Sequence, residues 1–416
     1  MGRSASQAAS EVNRPDLRGR AFASLAVRDF RLLLGGTAGT QLGDWVQAVA
    51  LGWLVFQLSH SPFQLGLISF VRGATILLVS PLGGVVADRV NRRTVIVIAT
   101  AAGAVTATTL SLLVVTHVVQ VWHLYLSAIA DGAALSMNLP ARQAIVYDIV
   151  GGEDLANAVA LNSLAGNVAR IIGPSLGGAI IGLVSVAAAF ALQAACYLLS
   201  ASFTFRLAPV RQHRGPGLSV FESFGGGFAY AWRNKLAGVI LLMVFIPAIL
   251  VYPYVSFLPV FARDVLHVGA GGYGLITSAV GFGSIVGASV VASRALDRRP
   301  GRAVLIGTFV YCFLVVCFAF SHLFVLSFFL LALAGVANSI YLALDNTLLQ
   351  LHTEDALRGR VMAIFSMTFG VTPFATLLMG ALIAMFGAPH TVAVFASLAT
   401  LSVVLMGFAT PRLRQL

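Results

Sequence analysis

The chain has 416 residues, 58% of them hydrophobic and 10% charged, with a formal net charge of +11 and a mean hydropathy of +0.92. Globular proteins carry about 25% charged residues, so this composition cannot cover a water-exposed surface. It excludes secreted disulfide-stapled and disordered classes. Nucleic-acid binding is excluded as well, because the cations sit in short loops between apolar runs and not on one basic face.

Residues 1–30 form a polar tail with Arg3, Arg14, Arg18, Arg20 and Arg28, without the apolar core of a cleaved signal. The first membrane helix then serves as its own insertion signal. A bilayer-spanning helix takes about 20 apolar residues, so twelve account for roughly 240 positions, close to the hydrophobic share of the chain. Six apolar runs, at 31–57, 63–87, 94–116, 121–146, 155–183 and 187–207, predict an N-terminal bundle over 31–207. Six more, at 238–262, 271–293, 303–320, 323–347, 359–385 and 389–410, predict a C-terminal bundle over 238–410, with a short tail at 411–416. The connector 208–237 places Phe221, Phe224, Phe228 and Trp232 at helical spacing, as an interfacial amphipathic helix would. The expected fold is an all-α membrane protein of twelve transmembrane helices in two pseudo-symmetric bundles.

The halves repeat. Glu153-Asp154-Leu155 answers Glu354-Asp355-Ala356-Leu357, Pro174 answers Pro373, and Gly66-Leu67-Ile68 answers Gly274-Leu275-Ile276. Two matched six-helix units are what a transporter requires. With the N-terminus placed in the cytoplasm, nearly all of the 26 Lys and Arg fall on that side. Arg263 alone lies in an outer loop, and Arg72, Arg142 and Arg170 lie within spans. This predicts cytoplasmic N- and C-termini in a bacterial cytoplasmic membrane. His60, His117, His123, His267, His322 and His390 gather at the outer edge as interfacial polar residues, with an external pH sensor as the alternative. Cys196, Cys312 and Cys317 lie inside apolar runs, with neither a disulfide framework nor metal-ligand spacing.

The most informative residues are charges inside the hydrocarbon. Counted along the helices, Arg72 and Asp131 lie roughly 13 Å deep, and Asp44 and Arg170 roughly 20 Å deep. All four belong to the N-terminal bundle. Ionisable groups at such depth are costly unless paired or wet and mark a functional site by default. Two Asp and two Arg can neutralise each other. Asp44 or Asp131 is therefore expected to exchange a proton while Arg72 or Arg170 trades between carboxylate and solute. A carboxyl's proton affinity changes when a guanidinium approaches or leaves it. Gln41, Trp45, Asn162, Asn167, Tyr252, Tyr254 and Asn338 offer an aromatic and amide wall for an amphipathic solute, with ordinary helix packing as the alternative for each. Pro247, Pro253 and Pro259 should break helix 7.

The loop after the second span reads GGVVADRVNRRTVI. It resembles the major facilitator superfamily signature G-x-x-x-D-R-x-G-R-R/K through Gly84, Asp88, Arg89, Arg92 and Arg93. Asn91 stands where Gly is usual, and Asn tolerates left-handed backbone. Gly173-Pro174 with Gly177-Gly178 resembles that superfamily's antiporter motif on helix 5. Helix 4 departs from the exporter pattern R-x-x-Q-G, with Ala128 and Asp131 at the Arg and Gln positions. The phrases QLGDWVQAVALGWLVF, LPARQAIVYDIV and ARIIGPSLGG are similar to the enterobactin-exporter-like and macrolide-efflux-like branch. The resemblance implies a cytoplasmic latch: Asp88 on the N-terminus of helix 11, and Arg92 with Asp148 at the end of helix 4.

The implied function is a proton-coupled exporter of small amphipathic molecules, a drug or a siderophore, working by alternating access as a monomer in lipid. Its partners are the solute and protons, with no cofactor. A solute importer is the alternative, and a non-transporting sensor or scaffold the alternative of another class. An enzyme is not expected, because no nucleophile–base pair, metal cluster or phosphate loop is present in the sequence.

Overall fold

A computed structural model describes residues 23–152, 154–208, 235–293, 300–353 and 355–410. Twelve long helices are present among them. The first six are α1 (Arg28–Ser59), α2 (Pro62–Arg89), α3 (Arg92–Val115), α4 (Val121–Val150), α5 (Leu155–Leu183) and α6 (Val186–Phe205). The other six are α7 (Lys235–Leu250), α8 (Ala270–Ala292), α9 (Pro300–Ala319), α10 (Phe324–His352), α11 (Asp355–Phe386) and α12 (Ala388–Ala409). Phe221, Phe224, Phe228 and Trp232 lie outside the described residues.

The helix ends follow local chemistry. Pro62 opens α2 at a position where its missing N–H costs nothing. The Asn91 side chain accepts a hydrogen bond from the Arg93 amide and so caps α3. Asn91 has φ −56°, so the left-handed turn expected there does not form. Among the described non-glycine residues, left-handed backbone falls instead at three helix exits, His60, His117 and His267, with φ of 51°, 57° and 54°. The α7 segment continues as a 3-10 turn (Tyr252–Phe257), a short α-turn (Leu258–Val260) and a π-turn (Phe261–Val265). Pro253 and Pro259 cannot donate the hydrogen bonds that a regular helix needs here.

Ten of the helices are long and apolar enough to cross a membrane; α1 and α4 are not among them. These two carry Thr37, Thr40, Gln41, Asp44 and Gln47, and Asp131, Asn138 and Arg142, and the polar load lowers their hydropathy. In the first bundle α1 packs on α5 and α6, α2 on α4, and α3 on α4 and α6. The second bundle repeats this, with α8 on α10, α9 on α10 and α12, and α7 on α10, α11 and α12.

Two helix pairs, α5 with α8 and α2 with α11, make most of the contact between the bundles. Small residues make both possible. A Cβ on Gly178 would come within 2.6 Å of the Ala270 carbonyl oxygen and 2.7 Å of the Gly274 Cα. On the other seam, Gly66 lies against the Thr376 carbonyl and Gly380, and Gly73 against Pro373. These contacts run from the middle of the helices to the face opposite the start of α1. On that same face Trp53 stacks on Tyr273 at 6.2 Å, and Arg263 meets His60 at 3.2 Å. The molecule is therefore sealed at the face where α1 ends.

Candidate functional site

A cavity of about 540 Å³ is lined by residues of the first bundle, a volume suited to a small organic solute. Its walls come from α1 to α6, mostly from the halves nearer the start of α1, so it lies away from the sealed face. Asp44, Asp131, Arg72 and Arg170 all line it, as do Gln41, Trp45, Asn162 and Asn167. Tyr252, Tyr254 and Asn338 do not. Tyr254 is buried in the second bundle beside Phe318, with ring centroids 5.9 Å apart. The 3-10 turn that carries it points it into that core.

The charges are not arranged as Asp–Arg ion pairs. Among the described residues, none of the three cavity guanidiniums lies within 4.0 Å of a carboxylate. Asp44 accepts a hydrogen bond from the Tyr197 hydroxyl of α6, and Asp131 accepts one from the Gln47 amide of α1. Arg72 is close enough to act electrostatically on both acids. Arg170 lies over the Trp45 ring, 5.6 Å from its centroid, a cation–π contact. Neutral donors, the Tyr197 hydroxyl and the Gln47 amide, have taken the places expected for guanidiniums.

Arg142 is a buried cation that the sequence reading left out of the charge set. Its Nε donates to Asn138 Oδ1 at 2.7 Å and its Nη1 to Thr37 Oγ1 at 3.0 Å. Its Nη2 donates to Thr40 Oγ1 at 2.9 Å and Ser200 Oγ at 3.0 Å. Asn138 extends the network to Thr100 on α3. The available signal was the i, i+4 pair Asn138 and Arg142 on a helix already marked by Asp131. Tyr197 gave no such sign, being one aromatic in a run of small apolar residues.

The second bundle also holds a carboxyl. Asp345 of α10 is fully buried, and neither oxygen has a hydrogen-bond partner among the described residues. It does not line the cavity.

The side chains of Gly84, Asp88 and Arg89 lie outside the described residues. Arg92 and Asp148 form a buried ion pair. It joins α3 to α4 and therefore lies inside one bundle, not across the seam where a latch would act. Arg93 donates to the Phe205 carbonyl and lies over that ring at 5.1 Å, tying α3 to α6. Removing one partner of a buried pair costs about 3–5 kcal/mol. Asp148→Ala should lower the unfolding stability of the detergent-solubilised protein by that order, and Asp148→Leu with Arg92→Leu should recover much of it. A thermal-unfolding series in one detergent checks this.

On helix 5, Gly173 and Gly177 let α1 approach. A Cβ on Gly173 would stand 2.4 Å from the Trp45 Cβ, and one on Gly177 3.3 Å from the Val46 Cα. Pro174 is buried between them and the α8 seam.

The model of a family described as transmembrane secretion effector matches residues 19–415. The chain belongs to this family of major facilitator transporters. The enterobactin exporter EntS of Shigella flexneri is 26% identical over 333 residues, covering 78% of this chain and 79% of that one. The staphyloferrin A transporter of Staphylococcus aureus (strain NCTC 8325 / PS 47) is 23% identical, covering 84% and 88%. Among solved structures, the nucleoside transporter NupG superposes with a TM-score of 0.74 at 15% identity, covering 91% of this transporter and 99% of that chain. A bacterial homologue of the lysosomal transporter Spinster, in an inward-facing and unoccupied conformation, gives 0.68 at 15% identity, covering 93% and 95%. The protein is thus a multi-pass membrane transporter, not an enzyme.

Proposed function

We propose that this transporter exports a small amphipathic solute of siderophore or drug type across the bacterial cytoplasmic membrane, coupled to protons, by alternating access. The observation that carries this reading is the asymmetry of the two faces. A cavity bearing two carboxyls lies toward one face, while glycine-to-backbone contacts along α5–α8 and α2–α11 close the other. The excess of positive loops on the side of the open face supports a cytoplasmic opening. The bundles 31–207 and 238–410 rock about the cavity, and one copy of the chain suffices. Relatives named for the export of enterobactin and the transport of staphyloferrin A favour a siderophore-like solute. Solute entering from the cytoplasm meets Trp45, Gln41, Asn162 and Asn167. Asp44 and Asp131 exchange the proton, and only a difference in binding between the two states is needed to drive the populations. The latch residues Gly84, Asp88 and Arg89 act when the open face closes.

The test is a proteoliposome assay with an imposed pH gradient and a panel of siderophores, antibiotics and dyes. Movement of at least one panel member against the proton flux is expected. Solute moving with the protons would replace the exporter by an importer.

A further inference from the structure

Asp44 does not stand alone in the cavity, and its partner is built into the packing. The Tyr197 ring is held in a slot between two glycines. A Cβ on Gly43 of α1 would come within 2.8 Å of one edge of the ring, and a Cβ on Gly103 of α3 within 2.6 Å of the other. The residue is 6% exposed, yet it lines the cavity and its hydroxyl reaches the Asp44 carboxyl. The ring thus has one place to sit, and its polar end has one partner.

One turn toward the open face the same two helices are tied again. Thr40 precedes Asp44 by four residues, and Ser200 follows Tyr197 by three. Their hydroxyls lie 2.7 Å apart, and Arg142 Nη2 donates to both. Ser200 Oγ in turn donates to the Gly36 carbonyl at 2.6 Å. The guanidinium therefore fixes α1 against α6 directly below the Tyr197–Asp44 contact. Its own hydrogen-bond acceptors are all neutral oxygens.

We propose that Tyr197 is a positioning residue for proton coupling: its hydroxyl sets how tightly Asp44 holds a proton, and Arg142 keeps it there by clamping α6 to α1. This rests on the reading of Asp44 as a coupling acid. A phenol can donate to a carboxylate, and a donated hydrogen bond favours the ionised form. Loss of that donor would let the carboxyl hold a proton to higher pH. The other charged and titratable groups around Asp44 are Arg72 of α2, Asp131 and Arg142 of α4, and Arg170 of α5. None of them makes a direct hydrogen bond to Asp44 among the described residues.

Infrared difference titration of the full-length protein in lipid nanodiscs, without solute, tests the proposal. The band to follow is the protonated-carboxyl stretch that Asp44→Asn removes. Tyr197→Phe keeps the ring in its slot and deletes only the hydroxyl. Its midpoint for that band should move to higher pH by about one unit, the size expected for a hydrogen bond to a charged group. Arg142→Gln should move it the same way, and Arg142→Lys less. An unchanged or lowered midpoint in Tyr197→Phe overturns the proposal while leaving Asp44 as a coupling acid. If Asp44→Asn removes no band between acid and alkaline pH, both readings fall together.

Discussion

Asp44→Asn should abolish gradient-driven transport while leaving the protein folded in the membrane. The substitution keeps the size of the side chain and an oxygen that still accepts from Tyr197, so the α1–α6 packing is retained. What it removes is the ability to carry a proton or a charge at a cavity position within electrostatic reach of Arg72 and Arg142. In proteoliposomes with an imposed pH gradient, efflux should fall to the level of protein-free vesicles. Gradient-independent exchange of solute across the same membranes should survive. The second measurement separates loss of coupling from loss of the carrier. Undiminished gradient-dependent efflux would remove Asp44 from the scheme and leave Asp131 as the remaining cavity acid.

Gly178→Val should prevent the sealed face from closing. Any side chain at this position meets the backbone of α8, at the Ala270 carbonyl and the Gly274 Cα, and backbone cannot rotate aside as a side chain does. Overpacking of this kind costs about 1–3 kcal/mol, enough to change a ratio of two states about 5- to 150-fold. The effect is confined to the state in which α5 and α8 touch, because Gly173 and Gly177, not Gly178, face α1 within the bundle. Spin labels at the exposed Val184 and Gly269, in a cysteine-free background, should report a longer distance in the variant, and transport should fall with it. An unaltered distance distribution would mean that the seam is not the moving gate.

Asp44 and Gly178 were unequally visible in the sequence. Asp44 stood out because a carboxyl in an apolar run has no cheap structural explanation. The helix 5 glycines stood out by motif, but their division of labour did not. Gly173 and Gly177 serve packing inside one bundle and Gly178 serves the seam, which depends on which neighbour each face meets. The same limit applies to the loop signature. Arg92 and Asp148 were paired correctly as neighbours, yet a pair within one bundle cannot by itself report whether the two bundles are closed.

Partner choice within the cavity is not written in the sequence. Two acids and two arginines at similar depth suggest ion pairs, since opposite charges in low dielectric attract strongly. The folded chain instead gives Asp44 to Tyr197 and Asp131 to Gln47, neutral donors on facing helices that no charge count along the sequence could single out. Arg142 was placed within a span but not among the four mid-depth charges. Its position on α4 turns it inward toward the hydroxyls of Thr37, Thr40 and Ser200. Tyr252, Tyr254 and Asn338 were placed in a cavity wall by composition alone, and the irregular end of α7 turns Tyr254 into the core.

The sequence by itself determined that the chain crosses a bilayer in two related sets of helices, and that charge is stranded in the first set. Hydropathy, loop cations and repeats are one-dimensional properties, fixed by the cost of taking backbone and charge out of water. Only the tertiary structure decided which hydroxyl faces which carboxyl and which glycine meets which backbone. It also decided which face of the molecule is shut. Those contacts arise between helices far apart in the chain, where a rotation by one residue, about a quarter of a turn, exchanges one partner for another.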